Sequence, residues 1–160
     1  MRRLCLTLLC GLVAVPAAVA AARATGDGVL ELKAAAGSVV LSGTRGTVWG
    51  QMDSGKLVAT DPLLGDGAIF VSGAEGVEQK DDFVTVYTGK DLHFRVTGGK
   101  YRLRFKGAGI DLTAVGVGTA WLTGDAFSDP GDFSLDNGKW VPLPVLTRVY
   151  RFGVQPATTP

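Results

Sequence analysis

The sequence predicts an all-β fold, a single-domain antiparallel β-sandwich or small barrel whose strands turn corners at glycine. Three observations carry that expectation. Short runs of alternating apolar and polar residues recur from Val29 to Phe152, with turn residues between them. No stretch of the same region keeps apolar residues at helical spacing for several turns without a glycine or proline interrupting it. Glycine is abundant, 23 residues in all, and is scattered between apolar runs without a G-X-Y period, which excludes collagen-like and low-complexity chains.

Each element has its own justification. Alternation runs through 29–34, 38–42, 47–51 and 56–60, then through 68–72, 83–88, 92–97 and 101–106. Shorter strands follow at 110–113, 118–123, 132–135, 139–141 and 147–152. A period of two sends one side of such a strand to the core and the other to solvent. Gly98-Gly99 separates 92–97 from 101–106, and two glycines accept the positive φ angles of a tight hairpin turn. A hairpin there sets Val96 opposite Tyr101, Phe94 opposite Leu103 and Leu92 opposite Phe105, all on the core face. Its outer face then carries Arg95 opposite Arg102 and His93 opposite Arg104. Asp136-Asn137-Gly138 marks a second tight turn, ahead of Trp140.

A weak internal repeat supports glycine corners. Residues 38–47 align without gaps on 68–77, and within 110–121 the run Gly118-Thr119-Ala120-Trp121 echoes Gly46-Thr47-Val48-Trp49. Each copy reads as strand, glycine corner, strand. The spacing of the copies is unequal, which favours a sandwich or barrel over the alternative, a short β-solenoid. Trp49 and Trp121 occupy equivalent strand positions and are expected to pack in the core.

The chain divides into a signal peptide at 1–22, a single β domain at 23–153 and a disordered tail at 154–160. Arg2 and Arg3 precede the apolar run 4–15, Pro16 breaks it, and alanines follow in an A-x-A pattern at Ala18-Val19-Ala20 and Ala20-Ala21-Ala22. The rival reading is a retained membrane anchor, since 4–22 carries no charge; membrane contact is expected only through this segment. Cleavage after Ala22 removes Cys5 and Cys10, so the remaining chain has no disulfide, thiol nucleophile or thiolate metal site. It also leaves 14 Lys and Arg against 15 Asp and Glu, a net charge of −1, which argues against a nucleic-acid partner.

Arg45-Gly46-Thr47-Val48-Trp49-Gly50-Gln51, Thr85-Val86-Tyr87-Thr88-Gly89-Lys90 and Gly109-Ile110-Asp111-Leu112-Thr113-Ala114-Val115-Gly116 resemble segments of uncharacterised secreted β-rich proteins of high-GC Gram-positive, actinobacterial type. That group has no known activity. The resemblance implies an envelope or extracellular setting and assigns no role to any residue.

Chemistry is sparse. His93 is the single histidine, and a base needs an orienting partner and a nucleophile within reach. No catalytic residue, metal site or cofactor is therefore expected. The acidic turn 125–132 holds oxygen ligands of the type calcium uses, but its Asp, Ser, Pro and Gly are also the ordinary residues of a turn. The expected function is a secreted or envelope-associated, non-catalytic binding or structural module whose partner is an envelope component or a protein. An alternative is an anion-binding module for an acidic envelope polymer, motivated by the like charges of Arg95, Arg102 and Arg104 on the predicted hairpin, with His93 beside them. A carboxylate-based hydrolase of wall glycans is weaker still. Trp140 is the aromatic candidate for ligand contact, although closing the core edge is the expected role for it.

Overall fold

The computed structural model describes residues 26–62 and 65–153. The predicted signal peptide and tail lie outside them. The strands are β1 (Gly28–Thr60), β2 (Gly67–Ser72), β3 (Gly76–Asp81), β4 (Val84–Gly98), β5 (Tyr101–Gly124), β6 (Asp132–Leu135), β7 (Val141–Pro142) and β8 (Arg148–Phe152). Every pairing among them is antiparallel. The fold is all-β, as the alternation predicts. It is a sandwich and not a barrel, because β2, β3, β7 and β8 each pair with a single strand and leave open ends.

The long strands β1 and β5 wind around each other as an antiparallel ribbon. Gly116 pairs with both Gly28 and Gly46, and Val39 pairs with both Phe105 and Leu122. The pairings resolve into two layers. The first holds 28–33, 45–52, 67–72, 92–98, 110–117 and 132–135, with β7 at its edge. The second holds 37–43, 54–60, 76–81, 84–90, 101–107, 118–124 and 148–152. β1, β4 and β5 each run through both layers, and the β1–β5 register shifts at the crossings, between Leu32 and Ala35 and between Gly43 and Arg45. Four of the predicted strands accordingly fuse into β1, and three into β5.

Glycines line up where the ribbon changes layer. Gly124, Gly37, Gly107, Gly55 and Gly89 pair in succession across one seam. At the other seam Gly46 has φ 130°, and a Cβ there would sit 2.1 Å from the Val115 carbonyl oxygen. The backbones approach too closely for a side chain, so the corner demands glycine.

The core lies between the layers. Leu30, Val48, Met52, Leu92 and Ile110 from the first meet Leu41, Leu57, Leu103, Phe105 and Leu122 from the second, all fully buried. The predicted Gly98-Gly99 hairpin is not formed. All six of its apolar residues are buried, but 92–97 and 101–106 belong to opposite layers. They face one another across the core and do not pair side by side. Each strand gains more by pairing on both edges with β1, β2 or neighbouring turns of the ribbon than a single hairpin contact supplies. β3, rich in Glu, Gln, Lys and Asp and without alternation, lies outside the predicted strands and pairs with β4 as an exposed edge.

Candidate functional site

The outer face of the first layer carries a groove of about 870 Å3. Register explains its composition. Glu31 pairs with Thr113, Thr113 with Trp49, Trp49 with Arg95, and Arg95 with Phe70. One step along the strands, Asp111 pairs with Gln51, Gln51 with His93, and His93 with Ser72. Alternate residues on these strands point into the core, so both rows face outward. Leu32, Gly50, Phe94 and Leu112 form the floor.

Asp111 organises the middle of the groove. Its Oδ1 accepts a hydrogen bond from the Ala34 N–H at 2.7 Å, and its Oδ2 accepts from Gln51 Nε2 at 3.5 Å. Ala34 has φ 50°, a left-handed conformation that this side-chain acceptor helps to hold.

Trp140 closes one end. The chain reaches it through the predicted turn, where Asp136 and Asn137 have φ of 51° and 58° and the Gly138 N–H donates to the Leu135 carbonyl at 2.8 Å. Two positive φ angles in succession make this a type I′ turn. Beyond it, the Leu143 N–H donates to Gly131 O at 2.9 Å, and Leu143 is buried. The core edge expected of Trp140 is therefore closed by Leu143, while Trp140 stays 47% exposed and lines the groove.

The predicted site residues separate. His93, Arg95 and Trp140 line this groove, whereas Arg102 and Arg104 lie on the outer face of the second layer. The expected cross-strand pairs of Arg95 with Arg102 and His93 with Arg104 do not exist, because those residues sit on opposite sides of the sandwich. Arg102 is flanked by Ser42 and Thr60, and Arg104 by Val40 and Val58. The expected core positions of Trp49 and Trp121 are also overturned. Trp49 lines the first groove and Trp121 a smaller depression beside Arg102 and Arg104. The alternation already held that signal, since Trp49 shares its parity with Thr47 and Gln51 while Val48 takes the core.

Comparison with protein-family models, with curated proteins and with solved structures gives no match.

A second set of cations follows from register. Arg102, Arg104 and Lys106 alternate along one strand of the second layer, and Lys56 lies directly opposite Lys106. No ion pair engages these four among the described residues. Asp125 lines the shallow depression beside Lys56 and Lys106, but its carboxylate caps its own turn. It accepts from the Phe127 N–H and the Ser128 hydroxyl, each at 3.0 Å, and these bonds hold its carboxyl below the usual range. Asp129 likewise accepts from the Gly131 N–H at 3.0 Å.

His93 has hydrolase-type neighbours. Its Nε2 lies 3.3 Å from Asp91 Oδ1, and Ser72 is its cross-strand partner. No hydrogen bond joins Ser72 to His93 among the described residues. The side chains of His93 and Asp91 are 52% and 86% exposed, so water competes for every contact. A site this open to solvent differs from the dry, preorganised surroundings in which an oxyanion is stabilised.

Proposed function

We propose that the protein is an exported, non-catalytic binding module whose contact surface is the groove between Trp49 and Trp140. The single observation that carries this reading is the convergence of two indoles with Arg95, His93, Gln51, Glu31 and Asp111 on one outward sheet face. A concave surface that sets aromatic faces among directed polar groups has the form of a binding site. Export and an envelope setting are supported by the signal-type pattern of 1–22.

Hydrolysis is the weaker reading. A glycosidase needs two carboxylates available across a cleft. Of the two in the groove, Asp111 is committed to Ala34 and Gln51.

A second binding reading rests on the opposite face. Lys56, Lys106, Arg104 and Arg102 form a cationic strip suited to an acidic envelope polymer. Co-sedimentation of the purified protein with cell-envelope material separates the two. Loss of binding in Trp49→Ala and Trp140→Ala supports the groove. Loss in Arg102→Ala with Lys106→Ala, together with a steep salt dependence, supports the strip and overturns the groove.

A further inference from the structure

We infer that the groove takes an uncharged carbohydrate chain; this rests on the groove being the contact surface. Charge is the first argument. Glu31 and Asp111 balance Lys33 and Arg95 within one lining, so the site favours neither a polyanion nor a polycation.

Hydrogen-bond chemistry is the second. Carboxylates only accept, Lys and Arg only donate, and Gln51, Thr47 and Thr113 do both. A sugar hydroxyl is both donor and acceptor, so each of these groups finds a partner on the same ligand.

The indoles are the third. The C–H face of a pyranose ring is apolar and flat, and it covers an indole without leaving a polar group unsatisfied. Trp140 is half exposed at the end of the groove, while Trp49 stands between Thr113 and Arg95 in its middle. Two separated stacking surfaces fit a chain of sugar rings better than a single ring.

A peptide ligand is disfavoured by the sheet beneath. The strands 28–33, 110–117, 45–52 and 92–98 are each paired on both edges, so no main-chain donors or acceptors remain for an added strand. Recognition must come from side chains alone.

The test is tryptophan fluorescence of the purified protein, titrated with cellohexaose, mannohexaose, chitohexaose and, as a charged control, poly-L-glutamate. The sequence has three tryptophans, two of them in the groove. A saturable change with one of the neutral hexaoses is expected. Its affinity should fall about tenfold in Trp49→Ala or Trp140→Ala and hold in Trp121→Ala. Trp140→Phe, which keeps a ring, should retain most of it, and circular dichroism shows whether each variant is folded.

If no neutral hexaose binds, or poly-L-glutamate binds in a Trp140-dependent way, the carbohydrate assignment is overturned. The groove reading survives that result if envelope co-sedimentation still requires Trp49 and Trp140. It falls as well if co-sedimentation does not.

Discussion

Phe94 on β4 and Phe105 on β5 meet ring to ring between the layers, their centroids 4.7 Å apart and their planes inclined by 44°. The tilted pair joins the sheet that carries the groove to the sheet that carries the basic strip. Phe94 also forms part of the groove floor, so this contact ties the binding face to the deepest part of the core.

Phe105 is fully buried, and its replacement leaves a cavity that strands paired on both edges cannot collapse. Phe105→Ala should destabilise the fold by about 3–5 kcal/mol, and Phe105→Leu by about 1–2 kcal/mol. Urea unfolding followed by circular dichroism measures both. Equal losses for the two variants would show that the bulk leucine retains contributes nothing, and would overturn the cavity argument.

The layer crossings should be intolerant of side chains. At Gly46 a Cβ would meet Val115 O at 2.1 Å and the Gly116 Cα at 2.8 Å, both backbone atoms of a strand held on its other edge by Gly28. Gly46→Ala should cost about 3 kcal/mol or more, from positive φ plus the displaced ladder. Gly65, with φ 91° but with no atom of the described residues within 4 Å of where a Cβ would lie, is the control. Gly65→Ala should cost about 1 kcal/mol. Comparable midpoints for the two would contradict the seam.

Tyr101 is buried, and its ring lies over the cross-strand Gly43, where a Cβ would come within 2.2 Å of it. Its hydroxyl meets no hydrogen-bond partner among the described residues, and burial pushes its phenol well above the ordinary value of 10.0. In the unfolded chain the phenol ionises near the ordinary value; in the fold it stays neutral. Stability is therefore undiminished below that pH and declines as pH rises above it, toward the elevated folded value. Tyr101→Phe removes both the orphaned hydroxyl and this alkaline loss. It should be neutral or stabilising by about 1 kcal/mol at pH 7, and its advantage should widen above pH 10. A parallel pH dependence in the two proteins would refute the assignment.

The alternation made the core legible. Leu92, Phe94, Val96, Tyr101, Leu103 and Phe105 are inward-facing as period two requires. Their partners were not legible, because period two assigns a face and says nothing about which strand lies alongside. Two glycines between alternating runs fit a tight hairpin locally, yet Gly98 pairs with Gly67 and Tyr101 pairs with Gly43. Winding the ribbon satisfies more backbone groups than the local turn does. The candidate site followed the same rule. Trp140 and the type I′ turn before it were readable as a local motif, but the company of Arg95 depends on long-range register. Trp49, Glu31 and Asp111 could have been assigned to a surface from strand parity, though not to one groove.

The register places Lys56 directly opposite Lys106, with Arg104 on the same face one step away. Like charges in a cross-strand pair oppose sheet stability, and Asp125 nearby is occupied by Phe127 and Ser128. Lys56→Glu converts the pair to opposite charges. It should stabilise the fold by about 0.5–1 kcal/mol at low ionic strength, with the gain shrinking as salt is added. The same change should weaken retention on an anionic matrix, because it removes one positive and adds one negative charge to the strip. It should leave Trp140-dependent binding in the groove unchanged, since the two surfaces lie on opposite layers. Thermal unfolding across a salt series reads the first effect and chromatography on a sulfonated resin the second. Destabilisation by Lys56→Glu at low salt would show that Lys56 is already compensated and that the strip is not a standing cationic surface.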